Sequence, residues 1–193
     1  MTISVEEVFE TVNMTLRQNF DIRTVTLGIN LKDCLDRDID RFIDRIQKRI
    51  SEKGKILSKF ADQVQSKYGV PITNRRISVT PVSLLLEPLA DVEGAAFKIA
   101  KALDKSAKDA GVDFIGGFGA LVQKGMTKAD QKLIEAIPQA LAETERVCGF
   151  LNLGSNVTGL NMNAVEMFGH TLRELSANTE NGIGCAKIAV FAN

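Results

Sequence analysis

The chain has 193 residues, of which 45% are hydrophobic and 25% are charged, as is usual for one soluble domain with a sizeable core. Its 24 basic and 24 acidic residues cancel, so the broad cationic surface that binds nucleic acids or anionic lipids is not expected. The longest apolar run, VSLLLEPLA, is too short to span a bilayer, and no basic segment precedes an apolar one at the N-terminus. We therefore expect a cytoplasmic protein without nucleic-acid or membrane partners.

The residue types that most often carry catalytic or metal chemistry are scarce. The three cysteines lie far apart and form no CxxC pair, which argues against a disulfide framework and a zinc site; they are Cys34, Cys148 and Cys185. Cys34 lies between two aspartates, whose carboxylates disfavour its thiolate. The single histidine, His170, falls off the apolar stripe of its predicted helix. We expect no metal site, and the sequence assigns no cofactor.

The chain begins with a predicted amphipathic helix. Ser4 and Glu7 form a capping box, and five apolar residues then recur at helical spacing: Val5, Val8, Phe9, Val12 and Leu16. β-branched residues predict a first strand over residues 22–29. A long helical pattern covers residues 38–68, within which Gly54 is a candidate breakpoint between two helices.

Helical and extended patterns alternate along the rest of the chain. Four more strands are predicted, at residues 76–82, 113–116, 147–153 and 186–192. The segments between them are helical over residues 91–108, 128–145 and 162–177. Each successive pair of strands is thus separated by a segment long enough for a crossover helix, which predicts a five-stranded, mostly parallel sheet of right-handed βα units.

The first two strands carry hydroxyl side chains at alternate positions, Thr24 and Thr26, then Ser78 and Thr80. A parallel sheet between two helix layers is apolar on both faces, so this alternation predicts helices on one face only, with the other face lining a barrel interior or cavity. The alternative is that the hydroxyls bond within the sheet. We expect one α/β domain over residues 1–193. The uncovered edge of its last strand favours self-association or further sequence beside it.

Five segments of the chain closely resemble a known family. The family is the prokaryotic PFL family, proteins of unknown function whose fold is like that of pyruvate formate-lyase, and the segments are NFDIRTVTLGI, NRRISVTPVSLL, AKALDKSAKDAGVDFIGGFGALVQKG, PQALAETERVCGFLNLGS and CAKIAVFAN. The resemblance covers nearly all 193 residues. Members of that family continue well past Asn193, so the resemblance identifies the chain with the N-terminal half.

The resemblance implies a fold but no reaction. The pyruvate formate-lyase fold is a ten-stranded barrel of two five-stranded parallel halves, so the chain is expected to form a half-barrel preceded by an N-terminal helix. Glycyl radical chemistry is not implied, because the sequence has neither an adjacent cysteine pair nor a glycyl-radical motif, and fold likeness does not transfer activity. Family genes often lie beside one for a small ACT-domain protein, which implies such a partner.

Ligands of parallel α/β sheets collect where strands end and helices begin. That rule selects the ligand-binding candidates, without assigning a catalytic role to any. They are Gly28 and Asn30; Thr80 and Ser83; Gly116, Gly117 and Phe118; Asn152, Gly154, Ser155 and Asn156; and Asn193. The basic pair Arg75 and Arg76 is interpreted as solvated surface.

Two of these segments have alternative interpretations. The cluster GGFG matches neither the GxGxxG nor the GxxxxGK[ST] phosphate-binding pattern, so its glycines either permit close backbone approach and a bulge or contact a ligand directly. The loop NLGSNVTGLN, residues 152–161, either binds an anion or an amide-bearing ligand or is a turn with an N-cap for the next helix.

Two functions follow as hypotheses. The first is a half-barrel that binds a small molecule at the C-terminal ends of its strands, with no assignable reaction. The second is a non-catalytic regulatory or assembly module that acts with itself, as a homo-oligomer, or with an ACT-domain protein.

Overall fold

The computed structural model describes residues 4–18 and 21–192, which form an α/β structure. Its helices are α1 (Val5–Val12), α2 (Ile39–Tyr68), α3 (Val82–Leu86), α4 (Ala95–Asp109), α5 (Lys128–Glu143) and α6 (Met162–Ala177). Its strands are β1 (Ile22–Ile29), β2 (Ile72–Val79), β3 (Phe114–Leu121), β4 (Val147–Ser155), β5 (Gly159–Leu160) and β6 (Ile188–Ala192). Short 3-10 segments cover Lys32–Cys34, Glu87–Leu89 and Glu180–Lys187, and a π-helical turn at Asn13–Arg17 extends α1.

The five long strands form a parallel sheet in the order of the chain, β1-β2-β3-β4-β6. The predicted parallel α/β architecture of about five strands is therefore confirmed. The two-residue strand β5 was not predicted from the sequence. It pairs antiparallel with the last residues of β4 and forms a short hairpin.

The four long helices that follow β1 lie side by side in one layer. Neighbours in the chain are neighbours in space, since α2 packs on α4, α4 on α5 and α5 on α6, and each also contacts the strands beneath it. Strand residues therefore alternate between a buried set under the helices and a more exposed set on the opposite face. Large fully buried side chains fill the space between helices and sheet: Phe42, Ile46, Ile50, Ile77, Ile99, Leu103, Ile115 and Phe118.

Helix α2 is unbroken, which corrects the expectation that Gly54 divides it. A Cβ built on Gly54 would lie 2.6 Å from the Cβ of Ala110 and 3.2 Å from Cδ1 of Ile77. The glycine therefore leaves the space that lets α2 pack closely against the segment joining α4 to β3. The helix runs for thirty residues, with Asp38 as its N-cap and Gly69 as its C-cap.

The predicted bounds of β2, β3 and β4 are corrected. β2 begins earlier than predicted and ends at Val79, so Ser83 lies inside the short helix α3. β3 continues through the glycine cluster to Leu121, because the extra residue Gly117 is absorbed as a bulge between Gly116 and Phe118. β4 likewise runs on to Ser155.

The bulge at Gly117 depends on glycine. The φ angle of Gly117 is +118°, a conformation that residues with a side chain rarely adopt. A Cβ at this position would lie 2.6 Å from both the carbonyl oxygen and Cγ2 of Val79 on the neighbouring strand. The glycine cluster thus allows β3 to approach β2 closely at this point.

Candidate functional site

The sheet face opposite the helices is the candidate site, and we call it the open face. Alternation along the strands and the register between them place the following residues on it. The polar ones are Thr24, Thr26, Asn74, Arg76, Ser78, Cys148 and Asn152; the glycines are Gly28, Gly116 and Gly119; the apolar ones are Ile22, Ile72, Phe114, Leu121, Phe150, Ala189 and Phe191.

One row across the open face has almost no side-chain bulk. Gly28, Ser78, Gly116 and Cys148 stand side by side on β1 to β4. A Cβ built on Gly28 meets nothing within 4 Å, and one on Gly116 meets only a backbone oxygen at 4.0 Å. The surface over the two glycines is therefore free of other atoms, and the Ser78 hydroxyl and the Cys148 thiol are the polar groups of the row.

Arg76 provides the positive charge of the open face. Among the strand residues that the structure describes, it is the only charged one on this face, beside Thr26 and Phe114 in the register. Its guanidinium carbon lies 5.8 Å from the centre of the Phe114 ring, and the side chain is exposed. The interpretation of the basic pair as solvated surface therefore fits Arg76 only. Arg75 points to the helix side of the sheet and forms an ion pair with Asp62, with an N–O distance of 2.5 Å.

An aromatic area occupies the β4 and β6 side of the open face. The rings of Phe150 and Phe191 lie 6.2 Å apart and tilted by 57°. A Cβ on Gly119 would lie 2.5 Å from Cδ1 of Phe150, so this glycine leaves room for the ring above β3. When its amide nitrogen is oriented as donor, Asn152 reaches the carbonyl oxygens of Gly154 and Phe191 at 2.8 and 3.2 Å.

Asn30 and Thr80 are brought together where β1 and β2 end. The Thr80 hydroxyl donates to Oδ1 of Asn30 at 3.1 Å, and it accepts from the backbone N–H of Leu31 at 3.1 Å. Oδ1 of Asn30 also accepts from the backbone N–H of Lys32 at 3.0 Å. These two candidate side chains therefore hold the loop after β1 against the end of β2.

Two side-chain oxygen atoms near this edge are buried without a hydrogen-bond partner among the described residues. One is the hydroxyl of Ser83, which is 1% exposed, and the other is Oε1 of Gln123, which follows β3. Ser83 was selected from the sequence, whereas Gln123 was missed because β3 is longer than its predicted end at Gly116. Buried polar atoms of this kind usually have a partner.

The polar loop after β4 is a hairpin followed by a helix cap. The Ser155 hydroxyl lies 2.7 Å from that of Thr158 and accepts from its backbone N–H, while Asn156 is exposed at the tip. Asn161 begins α6, since its Oδ1 accepts from the N–H of Ala164 and its Nδ2 donates to the carbonyl of Val122 at 2.7 Å. These contacts match the interpretation as a turn with an N-cap.

The other candidates lie elsewhere. Gly116 is on the open face in the middle of β3, and Phe118 is fully buried on the helix side. Gly154 is buried against the hairpin, where a Cβ would lie 2.6 Å from Cδ2 of Leu160. Asn193 lies outside the described residues.

Two of the three cysteine thiols, Cys34 and Cys148, are poorly suited to nucleophilic chemistry. Burial raises the pKa of Cys34, an effect that Arg49 and Arg45 oppose and Asp33 reinforces. Burial also raises the pKa of Cys148, against the opposing charges of Arg76 and Lys187. The described residues contain no group of three or more histidine, cysteine, aspartate or glutamate side chains that could hold a metal ion. Within the same residues, no helix combines the length and the apolar character needed to cross a membrane.

Comparison with known proteins gives a family without a known activity. The family model described as Uncharacterised ACR (DUF711) matches residues 13–193. The chain is 48% identical over 195 residues to a UPF0210 protein of Methanococcoides burtonii, an alignment that covers 100% of this chain and 43% of that protein. It is also 48% identical over 197 residues to one of Streptococcus sanguinis, covering 99% of this chain and 42% of the relative.

A third relative agrees in identity and coverage. The UPF0210 protein of Campylobacter concisus is 47% identical over 191 residues, covering 99% of this chain and 42% of the relative. The chain thus spans less than half the length of these curated relatives. The family model and the near-complete coverage of this chain lead to one conclusion: the chain belongs to the DUF711 (UPF0210) family of uncharacterised proteins.

Proposed function

We propose that the chain is the helix-backed half of a small-molecule-binding parallel barrel, like half of the pyruvate formate-lyase barrel, and that the ligand binds on the open face. The observation that carries the proposal is the polar, glycine-lined row of Gly28, Ser78, Gly116 and Cys148 on the sheet face opposite the helix layer. No reaction and no cofactor enter the proposal.

The strand order supports a barrel over an open, doubly wound sheet. A doubly wound sheet reverses its strand order at a switch point and thereby places helices on both faces. Here the parallel strands follow the order of the chain and their helices form one layer, as in barrels. Parallel sheets are normally covered on both faces, so the open face requires a cover. Relatives more than twice as long contain enough additional chain to form it.

The side chains of the open face favour a small polar ligand with one anionic group. Thr26 and Ser78 offer neutral hydroxyls, and Arg76, which pairs with Thr26 and precedes Ser78 by two residues on β2, offers one guanidinium beside them. The glycines leave a flat floor on which a ligand can approach the backbone. A single cation suits one carboxylate or phosphate, whereas a polyanion such as nucleic acid requires several.

A thermal-shift screen tests this function. The protein in its complete length is heated with hydroxy acids, amino acids, sugar phosphates and nucleotides in separate wells. We expect small ligands with one carboxylate or phosphate to raise the Tm, because a ligand at a hundred times its Kd stabilises by about 2.7 kcal/mol. A Ser78→Val variant, which fills the open row, should lose the shift without losing stability. A ligand whose shift survives Ser78→Val binds elsewhere and contradicts the proposal.

A second candidate function is assembly, and the edge of the sheet favours it. β6 pairs with β4 on one side, and Val190 and Phe191 are both nearly half exposed. An uncovered strand edge is a template for pairing with another chain. The homo-oligomer and the ACT-domain partner expected from the sequence belong to this candidate. Light scattering tests it: a particle larger than one chain that Phe191→Lys dissociates supports assembly through β6, by its edge or by the open face beside it, and a stable monomer at high concentration contradicts it.

A further inference from the structure

Helix α1 and its π-helical turn carry an apolar stripe that the described part of the chain does not cover. The stripe consists of Val5, Val8, Phe9, Val12 and Leu16, and no residue of the segment is buried. Phe9 is 72% exposed and Leu16 is 75% exposed. Apolar residues at this spacing form one face of a helix, so the exposed side chains are neighbours.

Such a segment depends on a partner for its stability. Isolated helices of this length are marginal in water, and most helices in proteins owe their stability to the packing of an apolar face. The capping box is complete, with the Glu7 carboxylate accepting from the Ser4 N–H at 2.7 Å and the Ser4 hydroxyl accepting from the Glu7 N–H at 3.2 Å. A cap defines where the helix begins but does not cover its apolar face.

A groove beside the stripe has room for side chains from outside. It lies between α1 and the end of α2 and has a volume of about 690 Å³. One wall includes Val8, Val12 and Leu16, and the opposite wall includes Tyr68, whose side chain is half exposed. An apolar wall of this kind receives apolar side chains.

The acidic residues of the segment lie toward one end and its basic residue at the other. Glu6, Glu7 and Glu10 lie in the N-terminal half, and Arg17 lies at the C-terminal end. None of the ion pairs within the described residues involves these four side chains. In an antiparallel pair of these helices, Arg17 of each copy lies next to Glu6 of the other, and each helix dipole opposes its neighbour.

We propose that this segment pairs antiparallel with the same segment of a second copy and forms a two-fold dimer. A two-fold axis near the middle of the stripe places Val5 beside Leu16 of the second copy and Phe9 beside its Val12. The contact is self-complementary, as a closed dimer requires. The surface is separate from the open face and from the β6 edge, so the inference does not depend on the proposed function.

Sedimentation velocity on the complete chain tests the dimer. Phe9→Glu places a charge in the centre of the stripe and should convert the dimer to a monomer. Val157→Glu is the matched control, because Val157 is 94% exposed on the β4–β5 hairpin and should leave the dimer intact. A wild-type protein that is monomeric at high concentration overturns the proposal. So does a Phe9→Glu variant that loses thermal stability at unchanged molar mass, because the stripe is then covered by the chain itself.

A charge swap distinguishes this pairing from a loss of folding. Glu6→Arg and Arg17→Glu should each weaken the dimer about tenfold, since each variant replaces two attractive pairs by two repulsive ones. The double variant should restore the affinity to within about threefold of the wild type. Rescue in the double variant supports the antiparallel pairing, and additive weakening overturns it.

Discussion

Gly117 lies against Val79 so closely that a Cβ on the glycine would stand 2.6 Å from the Val79 carbonyl oxygen. The contact joins β3 to β2 at the point where β3 gains one residue. Because the φ angle of Gly117 is also positive, both the space and the backbone conformation require glycine.

Gly117→Ala should destabilise the protein by at least about 2 kcal/mol, since the new methyl group meets backbone that cannot move without breaking the pairing. Urea unfolding followed by circular dichroism measures the loss. Gly28→Ala is the control, because a Cβ there meets nothing within 4 Å, and it should change the free energy of unfolding by less than about 0.5 kcal/mol. Equal effects of the two variants would contradict the role of the bulge.

Gly54→Ala and Gly169→Ala should have opposite effects although both glycines lie inside helices. At Gly54 the methyl group would lie 2.6 Å from Ala110, so we expect a loss of about 1–3 kcal/mol. At Gly169 of α6 nothing lies within 4 Å, so we expect the gain of about 0.5–1 kcal/mol that alanine normally gives in a helix. Thermal unfolding of the two variants compares them directly. A stabilising Gly54→Ala would show that the packing of α2 on Ala110 is looser than described.

Asp104 should contribute stability that disappears in acid. Burial acts to raise the pKa of its carboxyl, but the backbone N–H groups of Arg146 and Glu145 and the Lys108 ammonium together lower it. A lowered pKa in the folded state means that the contribution is complete above the unfolded pKa of about 3.9 and is lost as the pH falls through the folded value.

Asp104→Asn should therefore cost about 1–3 kcal/mol near pH 7, because a neutral amide binds the two backbone donors less strongly. The difference from wild type should shrink below about pH 4, where the wild-type carboxyl also becomes neutral. Asp109→Asn, at an exposed position on the same helix, is the control and should cost little at any pH. Urea unfolding at several pH values measures both. A difference that stays constant down to pH 2 would contradict this account.

Cys34 should react with iodoacetamide only after unfolding. Its side chain is 3% exposed, and burial raises its pKa, so little thiolate is present or accessible near neutral pH. Mass spectrometry after labelling in buffer and in urea measures the difference at this residue. Fast labelling of Cys34 in the native protein at pH 7 would show that the loop after β1 opens readily.

The sequence predicted the sheet well because hydrophobic periodicity reports burial directly. β1 was predicted at its observed residues, and the alternation of Thr24 and Thr26 with apolar neighbours agrees with helices on one face of the sheet. The alternative of bonding within the sheet also holds for Thr24, whose hydroxyl donates to the carbonyl oxygen of Arg23 at 2.7 Å. Helix α1 was predicted for the same reason, and its capping box was predicted from the spacing of Ser4 and Glu7. What periodicity cannot show is how two segments distant in the chain approach each other. That is why Gly54 was expected to end a helix that it instead allows to pack.

The site was harder to predict than the fold. The end of β3 was placed at its first glycine, because glycine normally interrupts a strand, so Gln123 was missed and Gly117 was placed at a strand end. Arg76 was grouped with Arg75, although neighbouring residues of a strand point to opposite faces. That alternation was available in the sequence, whereas the bulge that extends β3 depends on its contact with Val79.

The most direct test of the central claim compares Arg76→Gln with Arg75→Gln in the thermal-shift assay of the complete chain. The two arginines are adjacent in β2, but Arg76 lies on the open face and Arg75 binds Asp62 on the helix side. We predict that a small carboxylate or phosphate ligand that stabilises the wild type still stabilises Arg75→Gln and no longer stabilises Arg76→Gln. An unchanged shift in Arg76→Gln, or its loss only in Arg75→Gln, would contradict ligand binding on the open face.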